Sequence, residues 1–253
     1  MYRFFGRTEN ISDKEITIDG GDVNHIRNVL RMKPGDRLTV SGGDNADYLC
    51  ELREFAGDKA VLDIIEKCET DRELGARICL FQGLPKGDKM ELIVQKCVEL
   101  GVYEIVPVAM SRSIVKLDRK KSESKTARWQ AISESAAKQS GRSVIPKVHA
   151  PMTYGQALEY ASGMDVKLIP YELARGMEAT KAAVDAVHDG MSVAVFIGPE
   201  GGFEADEVEA AKECGMLPVS LGRRILRTET AGLTVMSILM YHLEQEHTNG
   251  SVS

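Results

Sequence analysis

Ser192-Val193-Ala194-Val195-Phe196-Ile197 runs without a break into Gly198-Pro199-Glu200-Gly201-Gly202-Phe203. The first six residues form an apolar run without helical spacing and predict a short buried strand. Three glycines in the next five residues let the backbone approach another group closely or take positive φ, and Glu200 places one carboxylate among them. Ala205–Cys214 then reads as a helix, its N-terminus favoured by Glu204 and Asp206. Strand, glycine turn and helix in succession is the repeating unit of a largely parallel α/β sheet with helices on both faces.

The alternation continues on both sides of this unit. Upstream, Ile78–Phe81 predicts a strand and Lys89–Leu100 a helix whose apolar face carries Met90, Ile93, Val94, Cys97 and Val98. Asp88 and Glu91 have capping-box spacing, and Gly101 suits the far end. Further strands are expected at Glu104–Val108 (where Pro107 argues against a central position), Val144–Val148 and Val166–Ile169. Helices are expected at Thr126–Ser140, Thr153–Ala161 and Met177–Val187. Downstream, Leu217–Leu221 reads as strand and Thr230–Glu246 as helix, with a polar, disordered tail after His247. The last helix carries Leu233, Val235, Met236, Ile238, Leu239, Met240 and Leu243, more apolar surface than one stripe needs.

Residues 1–72 have another rhythm. Arg37–Val40 and Tyr48–Leu52 flank Gly42-Gly43-Asp44-Asn45, a hairpin signal, and Lys59–Ile65 follows the Gly57-Asp58 turn. A short helix is expected over Val23–Leu30, closed by Pro34-Gly35-Asp36. Short strands at this spacing predict a small barrel, joined through polar Glu69–Glu73 to a second domain over 73–253.

Composition narrows the function. The 253 residues are 43% hydrophobic and 28% charged, enough for two globular domains. No apolar run approaches the roughly 20 residues of a membrane helix, and the first residues lack a signal-peptide pattern. Five dispersed cysteines without a C-x-x-C pair fit reduced thiols in a cytoplasm and argue against a zinc site. The net charge of −6 is unevenly spread: Ser111–Lys147 carries ten basic and three acidic residues, Ala150–Gly215 four and twelve. The first segment could face a polyanion; a solvated helix would show the same charge.

In a parallel sheet, ligands sit at the carboxyl ends of the strands. The turn after Ile197 matches neither the dinucleotide fingerprint nor the phosphate loop. It suits a ligand that needs backbone contacts without phosphates, such as S-adenosylmethionine, whose sulfonium tolerates a nearby carboxylate. A tight strand-to-helix turn would use the same glycines. The second strand end is Ser220-Leu221-Gly222-Arg223-Arg224-Ile225-Leu226-Arg227-Thr228-Glu229-Thr230-Ala231. Its arginines suit phosphate or carboxylate, and Thr228 could cap the following helix.

Ile197–Phe203 and Leu221–Ala231 closely resemble the two cofactor motifs of the SPOUT methyltransferases. Gly83-Leu84-Pro85-Lys86-Gly87-Asp88-Lys89-Met90-Glu91, Gln95–Val102, Arg112-Ser113-Ile114-Val115, Arg128-Trp129 and Glu134–Arg142 narrow the resemblance to the RsmE family. His25–Arg31 with Gly35-Asp36 resembles its N-terminal domain, so the likeness runs from about Arg3 to Leu243. The Gly42-Gly43-Asp44 hairpin departs from the Asp-Gly common there.

The resemblance implies a SPOUT-type parallel sheet with a deep C-terminal trefoil knot, a PUA-like RNA-binding β-barrel and a homodimer. It implies S-adenosylmethionine-dependent methylation of N3 of a uridine, uracil 1498, in 16S ribosomal RNA, possible within the small subunit, with no metal and no membrane. The cofactor residues it implies are Leu168, Ile197, Gly198, Pro199, Glu200, Gly201 and Gly202 from the first side. From the second come Leu221, Gly222, Ile225, Leu226, Arg227, Thr228, Thr230 and Ala231. Arg227 is the candidate for stabilising charge on the uracil, with Glu229 or Glu200 organising the site. His25, Arg31, Lys86, Lys89, Arg112, Arg128 and Arg142 are candidates for RNA phosphate, as is Gln95; Lys89 and Gln95 are equally suited to a helix surface. A SPOUT enzyme for another base or ribose, and a non-catalytic RNA-binding assembly factor, are the alternatives.

Overall fold

The computed structural model divides the chain into two units, Met1–Glu73 with Ala137–Ile145, and Leu74–Ala136 with Pro146–Ser253. It describes all residues except Met1, Arg7, Asp44, Asn45, Asp71, Lys116, Leu117, Arg175 and 251–253, and except the side chains of Thr8 and 246–250.

The first unit is built on a five-stranded sheet. Its strands are β1 (Arg3–Phe5), β2 (Glu15–Ile18), β3 (Arg37–Ser41), β4 (Ala46–Ala56) and β5 (Lys59–Glu69), in the order β1-β3-β4-β5-β2. β1 is parallel to β3 and the other pairs are antiparallel. The alternating pattern of β3 sends Leu38 and Val40 inward, where they pack with Ile16, Ile18, Cys50, Leu52 and Leu62. The helix expected over Val23–Leu30 is α1 (Gly21–Asn24) followed by a π-turn at His25–Val29. The tip of the β3–β4 hairpin, Asp44-Asn45, lies outside the described residues.

Residues 137–145 join this unit through a polar network. Arg142, 4% exposed, pairs with Glu73, whose carboxylate also accepts the Ser143 and Val144 amides at 3.0 and 3.2 Å. Val144 is therefore not in a strand, and the one expected over Val144–Val148 shrinks to β8 (Lys147–Val148). Arg142 is likewise removed from the RNA candidates, because its charge is buried on Glu73. Glu73→Ala is expected to lower stability by about 3–5 kcal/mol, since it leaves a buried guanidinium and two amides without their carboxylate. A urea titration of the purified variant checks this.

The second unit has a wholly parallel sheet. β6 (Arg77–Gly83), β7 (Glu104–Ala109), β9 (Met152–Thr153), β10 (Val166–Pro170), β11 (Ser192–Ile197) and β12 (Leu217–Val219) join β8 in the order β12-β10-β11-β6-β7-β8, with β9 also on β7. Pro107 is tolerated because β8 pairs at Glu104 and Ile105, β9 at Val108 and Ala109, and Pro107 falls between them. The helices are α2 (Lys89–Glu99), α3 (Arg119–Ser140), α4 (Tyr154–Ala161), α5 (Glu178–Asp185), α6 (Ala205–Glu213) and α7 (Thr228–Gly250). α3 starts seven residues before the expected Thr126, because Asp118 Oδ1 accepts the Lys121 amide and its carbonyl the Ser122 amide. α7 runs past His247, where a tail was expected to begin.

From β6 the chain moves outward to β7, then returns beyond β6 to lay down β10, β11 and β12. The order reverses between β6 and β11, whose Phe81 and Phe196 rings stack at 4.3 Å in the core. Such a switch point is where open parallel sheets bind ligands.

Candidate functional site

A cavity of about 460 Å³ opens where β10, β11 and β12 end. The turn after β11 forms one wall. Gly202 has φ +69° and donates its amide to Pro199 O at 2.9 Å, closing the turn. At Gly198 a Cβ would come within 3.1 Å of the Gly202 backbone. Gly201 is explained differently: a Cβ there would stand 3.0 Å from Arg112 Cβ. The Arg112 guanidinium donates to Gly201 O at 2.7 Å and grips Glu204 with two hydrogen bonds, clamping the turn from outside.

The loop after β12 forms the opposite wall. Thr180 of α5 fixes its start by accepting the Ser220 amide and donating to the Ser220 carbonyl. Gly222 follows at φ +111°, then Arg223, Arg224, Ile225 and Leu226 run along the cavity to Arg227. Arg223, Arg224 and Arg227 are exposed, and Ile225 is 85% exposed.

The two walls are tied together underneath. Thr228 Oγ1 donates to Gly198 O at 2.6 Å and accepts from Gln82 Nε2 at 2.8 Å. The expectation that Thr228 caps α7 is corrected, since its hydroxyl is spent on the opposite loop. Asp88 makes no side-chain cap on α2 either; Glu91 instead pairs with Arg128 at 2.8 Å. Gln82 is fully buried, and its role is invisible in the sequence, where it merely follows the apolar run Ile78–Phe81.

Lys89, the first residue of α2, lies against both walls. Its Nζ is 3.0 Å from Glu200 Oε1 and 3.3 Å from Glu229 Oε2. Glu200 Oε1 also accepts the Lys86 amide at 3.0 Å. The hydrogen bond to Glu200, then the bond to Glu229, raises the Lys89 pKa against the opposing effect of burial. Burial pushes the Glu200 pKa upward, but Lys89 and the backbone amides of Glu200 and Lys86 outweigh it and hold the carboxylate below its ordinary range.

Most expected cofactor residues line the cavity: Ile197, Gly198, Pro199, Glu200, Gly201 and Gly202 on one wall, Leu221, Gly222, Ile225, Leu226, Arg227, Thr228 and Ala231 on the other. Leu168 does not; it is buried mid-strand in β10, paired with Val195 and Leu217. The strand contributes its end instead, Pro170, Tyr171 and Glu172. Thr230 is exposed on α7 and faces a separate groove with Leu233, Ile238 and Tyr241. Among the RNA candidates, His25, Arg31, Lys86 and Gln95 are exposed, whereas Lys89, Arg112 and Arg128 are engaged with carboxylates. Arg31 is strained into the left-handed region at φ 54°.

A second ionisable cluster lies at the other end of the sheet. Glu104, which opens β7, accepts from Tyr160 and Cys79 and pairs with His149 at 2.7 Å. Burial opposes its ionisation, but these three bonds bring its pKa down to about 2. The group is closed on itself, far along the strands from the cavity.

A family model described as an RNA methyltransferase domain matches residues 72–240, and one described as an RNA methyltransferase PUA domain matches 18–65. The ribosomal RNA small subunit methyltransferase E of Bacillus subtilis (strain 168) is 38% identical over 231 residues, 90% of each chain. Its namesake from Synechocystis is 31% identical over 243 residues, 96% of this chain and 78% of the relative. The crystal structure of a ribosomal RNA small subunit methyltransferase E from Neisseria gonorrhoeae bound to S-adenosyl methionine superposes with a TM-score of 0.82 at 34% identity, covering 95% of this chain and 97% of that one.

Proposed function

The chain belongs to the ribosomal RNA small subunit methyltransferase E family, and from that premise we propose that it transfers the methyl group of S-adenosylmethionine to N3 of one uridine, uracil 1498, in 16S ribosomal RNA. S-adenosylmethionine-dependent methylation of small-subunit ribosomal RNA is its activity. The observation that carries the finer reading is the cavity at the carboxyl ends of β10, β11 and β12, walled by two glycine-bearing loops that Thr228 joins.

The cavity suits this cofactor. Its volume is in the range of small-molecule sites, roughly 300–1,000 Å³. Ile197, Leu221, Ile225 and Leu226 offer apolar surface to an adenine, and the loop backbones offer hydrogen bonds. Glu172 and Glu200 set negative charge near a ligand that carries an ammonium and a sulfonium. When bound, S-adenosylmethionine supplies an electrophilic methyl group.

The chain's own residues hold the acceptor and manage its charge. Uridine N3–H is a weak acid, and negative charge spreads onto the ring oxygens as its proton passes to solvent water. Arg227, exposed on the cavity wall, is assigned to that charge; a guanidinium offers hydrogen-bond donors and no acceptor. Glu229 and Glu200 organise the site. No histidine lines the cavity among the described residues. Exposed His25, Arg31 and Lys86 are assigned to RNA, and Arg112 and Arg128 meet phosphate only by sharing their carboxylates.

The same reading assigns domains at 1–72 and 73–253, a trefoil knot to the cofactor domain, a barrel to the PUA-like domain, a cytoplasmic location and a homodimer. In favour of the dimer, Leu233 and Ile238 line an open groove beside Tyr241, which is 63% exposed on α7.

Incubation of wild-type protein with labelled S-adenosylmethionine and 16S RNA, as free transcript or small subunits, followed by nucleoside mass spectrometry, is expected to yield 3-methyluridine. Another methylated nucleoside would overturn the N3 assignment. Tight cofactor binding without methyl transfer to either substrate would overturn the catalytic reading in favour of an assembly factor.

A further inference from the structure

Lys89 occupies an unfavourable place for a cation. It is the first residue of α2, where the helix dipole disfavours positive charge. What holds it there are two carboxylates from the two walls of the cavity. Glu200 belongs to the turn after β11, and Glu229 to the first turn of α7. Their side chains are only 29% and 17% exposed, and an oxygen of each lies within 3.3 Å of the same nitrogen. Without a cation between them, two like charges would face each other at short range in a partly desolvated site.

We propose that Lys89 is a positioning residue: its ammonium links Glu200 to Glu229 and so keeps the two loops at the spacing that closes on S-adenosylmethionine. This rests on the reading of the cavity as the cofactor site. It departs from the expectation that Lys89 meets RNA phosphate. The linkage complements the one beneath it, in which Thr228 Oγ1 donates to Gly198 O. That hydrogen bond fixes the floor of the cavity, and Lys89 fixes the rim.

The test is equilibrium binding by calorimetry, with S-adenosylmethionine and separately with a 16S RNA fragment at two salt concentrations. Wild-type protein that binds no S-adenosylmethionine would overturn the cavity reading itself. Given wild-type binding, Lys89→Met is expected to weaken cofactor affinity about 10-fold while RNA affinity and its salt dependence stay unchanged. Lys89→Arg is expected to keep most of the affinity. Adding Glu229→Gln to Lys89→Met is expected to restore cofactor affinity, because it removes the repulsion the lysine had neutralised. The positioning role fails if Lys89→Met leaves cofactor affinity intact and instead weakens RNA binding with a shallower salt dependence. It also fails if Glu229→Gln gives no recovery in a Lys89→Met protein whose melting curve matches wild type.

Discussion

Arg227→Ala is expected to slow single-turnover methylation about 100- to 1,000-fold, with S-adenosylmethionine affinity largely kept. The magnitude is that of removing one preorganised donor aimed at developing charge. Arg227 is suited to this because it is exposed on the cavity wall immediately before Thr228, whose hydroxyl holds the backbone of that loop against Gly198. The adenosine is expected to meet loop backbone, so truncating a side chain leaves its contacts in place. A phosphate-binding role makes a different prediction: weaker RNA binding and a smaller salt slope, with the chemical step preserved. Rate and RNA affinity measured on the same variant distinguish the two. Wild-type values for both would reduce Arg227 to a surface charge.

The parallel sheet was readable because its strands are short apolar runs and its turns carry glycine. The strand before Ile197 and the two loops that wall the cavity stand where the residue pattern put them. Charge was less informative than sequence position suggested. Arg142 and Lys89 look like phosphate ligands in a one-dimensional reading, but what a cation does depends on its partner. The partner of Arg142 is Glu73, 69 residues upstream, and those of Lys89 lie on a turn and a helix start far downstream. Leu168 belongs to the right strand but stands at its middle, whereas a ligand meets the end of a parallel strand, here Pro170 to Glu172. Thr228 and Gln82 cannot be paired from the sequence, because their hydrogen bond spans 146 residues and joins the start of α7 to β6. Local signals such as capping and turn residues report on neighbours along the chain, so a hydroxyl at a helix start reads as a cap.

Gly83→Ala is expected to weaken S-adenosylmethionine binding about 10- to 100-fold while the sheet still forms. Gly83 ends β6 on one side of the switch point, and the turn after β11 lies on the other. A Cβ on Gly83 would fall 2.6 Å from Pro199 N and 3.0 Å from Gly198 C, inside contact distance of backbone atoms. A flexible side chain could swing away; this backbone can yield only by moving the turn. That turn is pinned by Thr228 at Gly198 and by Arg112 at Gly201. Overpacking of this kind costs typically 1–3 kcal/mol, and about 1.4 kcal/mol is tenfold in affinity. The strain falls on cofactor binding because the displaced atoms form a cavity wall, whereas the strand itself is held by Phe81 stacked on Phe196 and by its parallel neighbours. Calorimetry with S-adenosylmethionine, beside a melting curve, separates the outcomes. Wild-type affinity in a normally folded Gly83→Ala protein would mean that the turn is free to shift and does not set the geometry of the site.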